Sequence, residues 1–175
     1  MKPGENEKAG PITDFLVKDH GRLEGLLQSA VAHAGSVDQG TYDQFRAGLL
    51  RHIGMEEKIL LPAAQRLRGG EPLSLAAKLR LDHGAIASLL MPPPTATIIA
   101  TIRAVLKVHN TIEEGPGGLY ETCDELASAE TAQLLAKLQA APELAVLPCS
   151  DSPVVMPVVV QALERAGYNF CEEIG

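Results

Sequence analysis

A chain of 175 residues has the size of a single domain with enough material for a sizeable core. Hydrophobic residues make up 46% of it but aromatics only 3%, with no Trp, so the core has to be built from Ala, Leu, Val and Ile, which favours helices packed on helices. A formal net charge of −7 and a pI near 5.2, with no Lys/Arg cluster, argue against a nucleic-acid backbone or an anionic membrane surface as the main partner.

The N-terminus, MKPGENEKAG, is polar and lacks the apolar stretch of a signal peptide. The longest later apolar run, PVVMPVVV, is interrupted by proline and too short to span a bilayer, so a soluble cytoplasmic protein is expected. From about Pro11 to Ala34 the apolar period predicts a first helix that starts on a proline, stops before Gly35 and carries Ile12, Phe15, Leu16, Leu23, Leu27, Ala30 and Ala34 on one stripe. A second is predicted from near Thr41, where Thr41 and Gln44 spell a capping box, to the Gly69–Gly70 pair. Its apolar face is Phe45, Leu49, Ile53, Ile59, Leu60, Ala63 and Leu67.

Glu71 and Pro72 are read as the start of the third helix, which carries Leu75, Leu79, Ile86 and Leu90 and cannot continue through Pro92–Pro94. The fourth starts near Thr95, carries Ile98, Ile102, Val105 and Leu106, and meets GPGG at 115–118, where a break or kink is expected. Helical pattern resumes from Leu119 to Ala140, in one piece or in two with Ser128 as a cap. Beyond Pro142 the chain is proline-rich. MPVVVQALERAG predicts one short helix with Pro157 at its first position, and its β-branched run leaves a strand as the alternative. Helices of this length joined by short connections predict an all-α, up-down-up-down four-helix bundle over residues 1–141, with 142–175 as a short C-terminal extension.

Polar residues interrupt these stripes in a regular way. His20 lies between Leu16 and Leu23, His52 and Glu56 between Leu49 and Leu60, and His83 between Leu79 and Ile86, all by steps of three and four. Val105, His109 and Glu113 continue one line on the fourth helix. VKDHGRLEGLL around His20 resembles RLDHGAIASLL around His83, offset by 63 residues, and HIGMEE resembles HNTIEE, offset by 57. The chain thus reads as a duplicated helical hairpin that places four imidazoles and two carboxylates around a pseudo-two-fold axis.

Six such groups buried without partners would each cost several kcal/mol. A metal centre removes that cost, because two carboxylates can each bridge two cations while two imidazoles complete each one. These nitrogen and oxygen donors suit iron or manganese better than zinc. Ferritin-like di-iron bundles read Glu-x-x-His, whereas this chain reads His-x-x-x-Glu.

A DH pair, an HxxxEE followed by LLP, a second DH and a second HxxxEE followed by LY together resemble the hemerythrin-like, or HHE cation-binding, family over about residues 11–140. The resemblance implies a four-helix bundle around a non-haem di-iron centre. His20 and His52 would hold one iron, His83 and His109 the other, and Glu56 and Glu113 would bridge them. Oxygen-carrying members place a further histidine one turn after the third-helix ligand, where this chain has Ala87. The four-histidine, two-glutamate pattern is closer to the bacterial branch linked to oxygen or iron sensing and to repair of iron centres under nitric oxide stress, without the N-terminal cysteine-bearing segment usual in the repair proteins.

The leading expectation is a di-iron protein that binds or senses a small oxidant: oxygen, peroxide or nitric oxide. The alternatives are an enzyme that detoxifies such a molecule or repairs iron centres, and a metal-stabilised interaction protein whose C-terminal segment forms a partner or homo-oligomer surface. Counting donors leaves each iron with about five ligands and therefore an open position.

Other polar residues carry blander expectations. Glu57 and Glu114 turn about 100° away from the motif glutamates and are expected to face solvent or the bundle end. Asp19 and Asp82 read as helix-surface charges, with orientation of an imidazole as the alternative. Tyr120 is expected to pack in the ordinary way, with approach to the site through a kink at GPGG as the alternative, and His33 to interact with the end of the first helix. Cys123, Cys149 and Cys171 are spaced for neither a zinc framework nor an even disulfide set and read as idle or buried thiols.

Overall fold

A computed structural model describes residues 9–170, and they hold helices and no strand. The N-terminal polar stretch, apart from its last two residues, and Cys171 lie outside the described residues. Helix α1 (Pro11–Ala30) starts on Pro11, and the carboxylate of Asp124 accepts from the free N–H groups of Ile12 and Thr13 at 2.9 Å each. It stops at Ala30, short of the expected Ala34, so His33 lies exposed in the following turn and takes no part in the site. Helix α2 (Gln39–Met55) begins earlier than its sequence pattern suggests. Asp38, not Thr41, is the cap: its carboxylate accepts from the Thr41 N–H at 2.7 Å.

The second predicted helix is continuous but not uniform. A π-helical turn, Glu56–Leu60, separates α2 from α3 (Leu61–Leu67). The Leu61 N–H bonds the Glu56 carbonyl five residues back. Pro62 offers no N–H, and its ring would crowd the Lys58 carbonyl in a regular α-turn; widening the turn relieves both problems. The extra residue shifts the helical phase, so Leu60, Leu61 and Ala64 are fully buried where Ile59, Ala63 and Leu67 are only partly so.

Helix α4 (Ala76–Leu89) begins after the expected Glu71–Pro72 start, because Pro72 is held in the loop by Arg68, which donates to its carbonyl. Helix α5 (Ala96–Glu114) is capped by the Thr95 hydroxyl, which accepts from the Ile98 N–H at 3.2 Å. After GPGG the chain forms two pieces, α6 (Leu119–Leu126) and α7 (Thr131–Gln139), and Glu130 rather than Ser128 occupies the N-cap of α7. The C-terminal segment forms α8 (Val155–Ala166), with Pro157 inside the first turn, where its missing N–H is not needed. Val155, Val159, Leu163 and Ala166 of α8 are buried, and Lys78 of α4 donates to the Ala166 carbonyl at 2.8 Å. Buried Arg46 ties the preceding segment down through the carbonyls of Leu90 and Leu147, each at 2.9 Å.

The apolar interior forms two clusters. Leu23 and Leu27 of α1, Phe45 and Leu49 of α2, Ile86 and Leu89 of α4, Ile102 and Val105 of α5 and the inner face of α8 form one. Ile12 and Leu16 of α1, Met55, Leu60 and Leu61, Leu79 of α4 and the buried residues of α6 and α7 form the other. Along α1 and α4 the chain passes from the second cluster to the first; along α2 and α5 it runs from the first toward the second. Each crossing goes through a histidine.

Candidate metal centre

Because the four crossings lie between Leu16 and Leu23, Leu49 and Met55, Leu79 and Ile86, and Val105 and Leu119, the histidines and the two motif glutamates form one polar layer between two apolar ones. His52, Glu56, His83, His109 and Glu113 are buried, and only 9% of the His20 side chain is exposed. Two donor sets result. His20, His52, Glu56 and Glu113 each bring one donor atom within 4.8 Å of the others, and so do Glu56, His83, His109 and Glu113. All six sequence-predicted positions meet, and the two glutamates belong to both sets. The break after Glu114 does not displace Glu113: the Gly115 N–H still bonds the Thr111 carbonyl, so the helix holds to its last turn.

Every imidazole presents Nε2 to the centre and bonds a carboxylate through Nδ1. Asp19 accepts from His52 at 2.8 Å and Asp82 from His109 at 3.3 Å, each within its own hairpin. Glu57 accepts from His83 at 2.6 Å and Glu114 from His20 at 2.5 Å, each across to the other hairpin. These contacts correct the expectation that Asp19 and Asp82 are surface charges, and they give Glu57 and Glu114, which stay partly open to solvent as expected, an imidazole partner as well. The aspartates share a helix turn with their neighbouring histidines but serve the histidine of the next helix. The second glutamate of each HxxxEE does turn away from the first, and another helix fills the space it turns toward. A carboxylate on Nδ1 fixes the tautomer that leaves Nε2 as the metal-facing atom.

Tyr120 also departs from the ordinary packing expected of it. It is fully buried, but its hydroxyl enters the polar layer, donating to Glu56 Oε1 at 2.6 Å and standing 3.0 Å from Glu113 Oε2 and 3.1 Å from Nε2 of both His20 and His52. The sequence signal for it is the LY after the second HxxxEE where the first has LL.

Electrostatics follow from this crowding. Burial alone would lower the His52 pKa, but Glu56, Asp19 and Glu113 raise it to about 10. His83 is raised to about 10 by Glu113, Glu56 and Glu57, and His109 to about 9 by Asp82, Glu113 and Glu56, in both cases against burial. Burial would raise the Glu113 carboxyl, yet the imidazoles of His109, His20 and His83 that face it hold it well below the ordinary range. Burial, Glu56 and Glu113 together push the Tyr120 phenol well up. Protons on the imidazoles thus balance the buried carboxylates when no cation does.

That balance is incomplete. Among the described residues Glu56 Oε2, Glu113 Oε1 and His83 Nε2 have no hydrogen-bond partner. His83 Nε2 comes within 3.1 Å of Glu56 Oε2 without the alignment of a hydrogen bond. Buried polar atoms are normally satisfied, so three unsatisfied ones converging on one point fit a cation-binding role. Cys123 is buried, its thiol pushed up to about 12 by burial, and lies outside both donor sets.

The fold and site therefore define an all-α protein with a buried histidine–carboxylate cluster compatible with metal binding. A family model, hemerythrin HHE cation binding domain, matches residues 12–141. The chain belongs to that family. No curated protein and no solved structure matches it. No helix among the described residues is long and apolar enough to cross a membrane.

Proposed function

We propose that this is a di-iron-binding hemerythrin-like protein that takes up or senses a small oxidant such as oxygen, peroxide or nitric oxide. Its ligands are His20, His52, Glu56, His83, His109 and Glu113. The carrying observation is that two buried donor sets share two carboxylates, each with one oxygen toward either set. A carboxylate so placed spans two cations, and two imidazoles complete each. The proposed frame is an up-down-up-down bundle of the four site-bearing helices over residues 1–141, with 142–175 as an extension. The alternating passage of those helices between the two apolar clusters supports it.

Iron held there would supply an open position and a change of oxidation state toward the small molecule. The chain's own residues hold the imidazoles in one tautomer and exclude bulk water with apolar layers on both sides. They also take up protons when the metal leaves, because metal binding requires deprotonated ligands. Protein reconstituted with ferrous iron should hold two metal ions per chain, and its optical spectrum should change on adding azide or nitric oxide. One metal or none would overturn the di-iron reading. Two metals with spectra indifferent to saturating ligand would overturn uptake of a small molecule.

A further inference from the structure

The two donor sets are alike in residue type but not in surroundings. In the set of His20 and His52, one phenol oxygen stands 2.6 to 3.1 Å from all four donor atoms: Glu56 Oε1, Glu113 Oε2, His20 Nε2 and His52 Nε2. In the set of His83 and His109, no hydroxyl of the described residues enters, and Glu56 Oε2, Glu113 Oε1 and His83 Nε2 are left without partners. A phenol has one proton to donate. It can donate to one carboxylate and accept from both imidazoles, which leaves the second carboxylate, Glu113 Oε2 at 3.0 Å, to share that single proton. The arrangement suits an oxygen donor drawn in beside a cation.

Chain geometry gives the reason for the asymmetry. After the first HxxxEE the helix continues through the π-turn and delivers Leu61, which is buried in an apolar cluster and offers no donor. After the second, GPGG ends α5 and turns the chain so that α6 delivers Tyr120 instead. Gly117 takes a left-handed conformation with φ of 69°, and a Cβ on Gly118 would stand 2.6 Å from the carbonyl oxygens of Ile112 and Glu113. The turn therefore closes tightly against the last turn of the metal-site helix, and Tyr120 has little freedom to withdraw.

Resting on the two-cation reading above, we propose that Tyr120 is itself a metal ligand, coordinating the His20–His52 cation through its phenolate oxygen and making the two metal positions chemically unequal. One bond forms, from the phenol oxygen to the metal, and the phenol proton passes to solvent as other donor protons do on metal binding. The His83–His109 cation keeps its open position; the other is closed by the protein.

The test is made on the full chain loaded with ferrous iron in the absence of oxygen and then oxidised with ferricyanide, one electron per iron. Metal content and visible-excited resonance Raman are measured for wild type, Tyr120→Phe and, as a control, Tyr42→Phe. Tyr42 lies in the apolar cluster away from the site, and its hydroxyl has no hydrogen-bond partner there. The expected result is two irons in all three proteins, with phenolate ring vibrations and a tyrosinate-to-iron charge-transfer band in wild type and Tyr42→Phe and neither in Tyr120→Phe. Two irons in wild type without phenolate vibrations would overturn tyrosine ligation and leave the di-iron reading standing, whatever the variants do. Phenolate vibrations that persist in Tyr120→Phe would overturn the assignment to this residue. Fewer than two irons in wild type would overturn the di-iron reading, and this proposal with it.

Discussion

The two HxxxEE helices begin alike and end differently. In α2 the motif runs on into a π-turn and α3, so the helix never stops and the next side chains, Leu60 and Leu61, fill an apolar cluster. In α5 the motif is the last turn. The Gly118 N–H bonds the Gly115 carbonyl at 2.8 Å, the Glu121 carboxylate accepts from the Gly117 N–H, and a new helix starts at Leu119. The motif itself decides which groups reach the centre from its own helix. The residues C-terminal to it decide whether the following segment adds a hydrocarbon to an apolar cluster or a phenol to the centre.

The bridging carboxylates are the place where that comparison is most easily broken. Glu56→Ala and Glu113→Ala each strip a fully buried carboxylate from both donor sets and strand the imidazoles around it. A loss of about 3–5 kcal/mol is expected for the metal-free protein, the usual cost of breaking a buried charged pair. Metal content should fall below two ions per chain. Chemical denaturation and metal analysis read both effects, and a much smaller loss for Glu113→Ala would mean that the helix end at GPGG relaxes where the continuous helix cannot.

A large effect is also expected from pH, opposite in sign for the stability of the metal-free protein and for the increment that metal adds to it. Free His52 and His83 titrate near 10 and His109 near 9, against an ordinary 6.5. A raised folded-state pKa contributes stability that is fully present below about 6.5 and is lost as pH rises through 9 to 10. The metal-free protein should therefore lose melting temperature across that window. The increment added by metal should grow over the same window, because fewer protons have to be displaced. Thermal melts at several pH values, with and without chelator, measure both slopes, and parallel slopes would contradict the proton-for-metal exchange.

Next come the carboxylates behind the imidazoles. Asp19→Asn, Asp82→Asn, Glu57→Gln and Glu114→Gln should each weaken metal affinity by roughly 10- to 100-fold, the usual loss for such partners. Asp82 should sit at the high end because it is fully buried and also pairs with Lys78 at 2.5 Å; Glu114, with 35% of its side chain exposed, should sit at the low end. Competition with a chromophoric chelator ranks them. Equal losses at Glu57 and Glu114 would show that the two helix continuations hold their second glutamates equally well.

Glycines near the two motifs give the smallest pair of effects. Gly118→Ala places a methyl 2.6 to 2.7 Å from three carbonyl oxygens and should cost about 1–3 kcal/mol. At Gly54, inside HIGMEE, a methyl group would meet nothing within 4 Å, so Gly54→Ala should gain up to about 1 kcal/mol from helix propensity. Urea denaturation separates them.

Much of the site was legible from spacing. Steps of three and four put His20, His52, Glu56, His83, His109 and Glu113 on inward faces because one helix turn is a local geometry that any sequence of this pattern shares. The helices themselves were legible to within a turn or so at their ends. The miss at Thr41 came from a nearby capping residue, Asp38; those at Glu71 and Ser128 came from helices that start later, after Leu75 and Glu130, without a side-chain cap. The π-turn left a trace in Pro62, four residues after Lys58, but its phase shift shows only in which leucines are buried.

By itself, then, the sequence determined the helical class and the inward faces that carry the six central groups, since both depend on contacts within one or two turns of chain. Only the tertiary structure decided which carboxylate serves which imidazole. Glu57 meets His83, and Glu114 meets His20, across 26 and 94 residues of sequence, and such pairings depend on how helices lie against one another. The same holds for Tyr120: a tight turn at Gly115–Gly118 sets the direction of α6, and that direction carries a phenol into one half of a site whose sequence is nearly symmetrical.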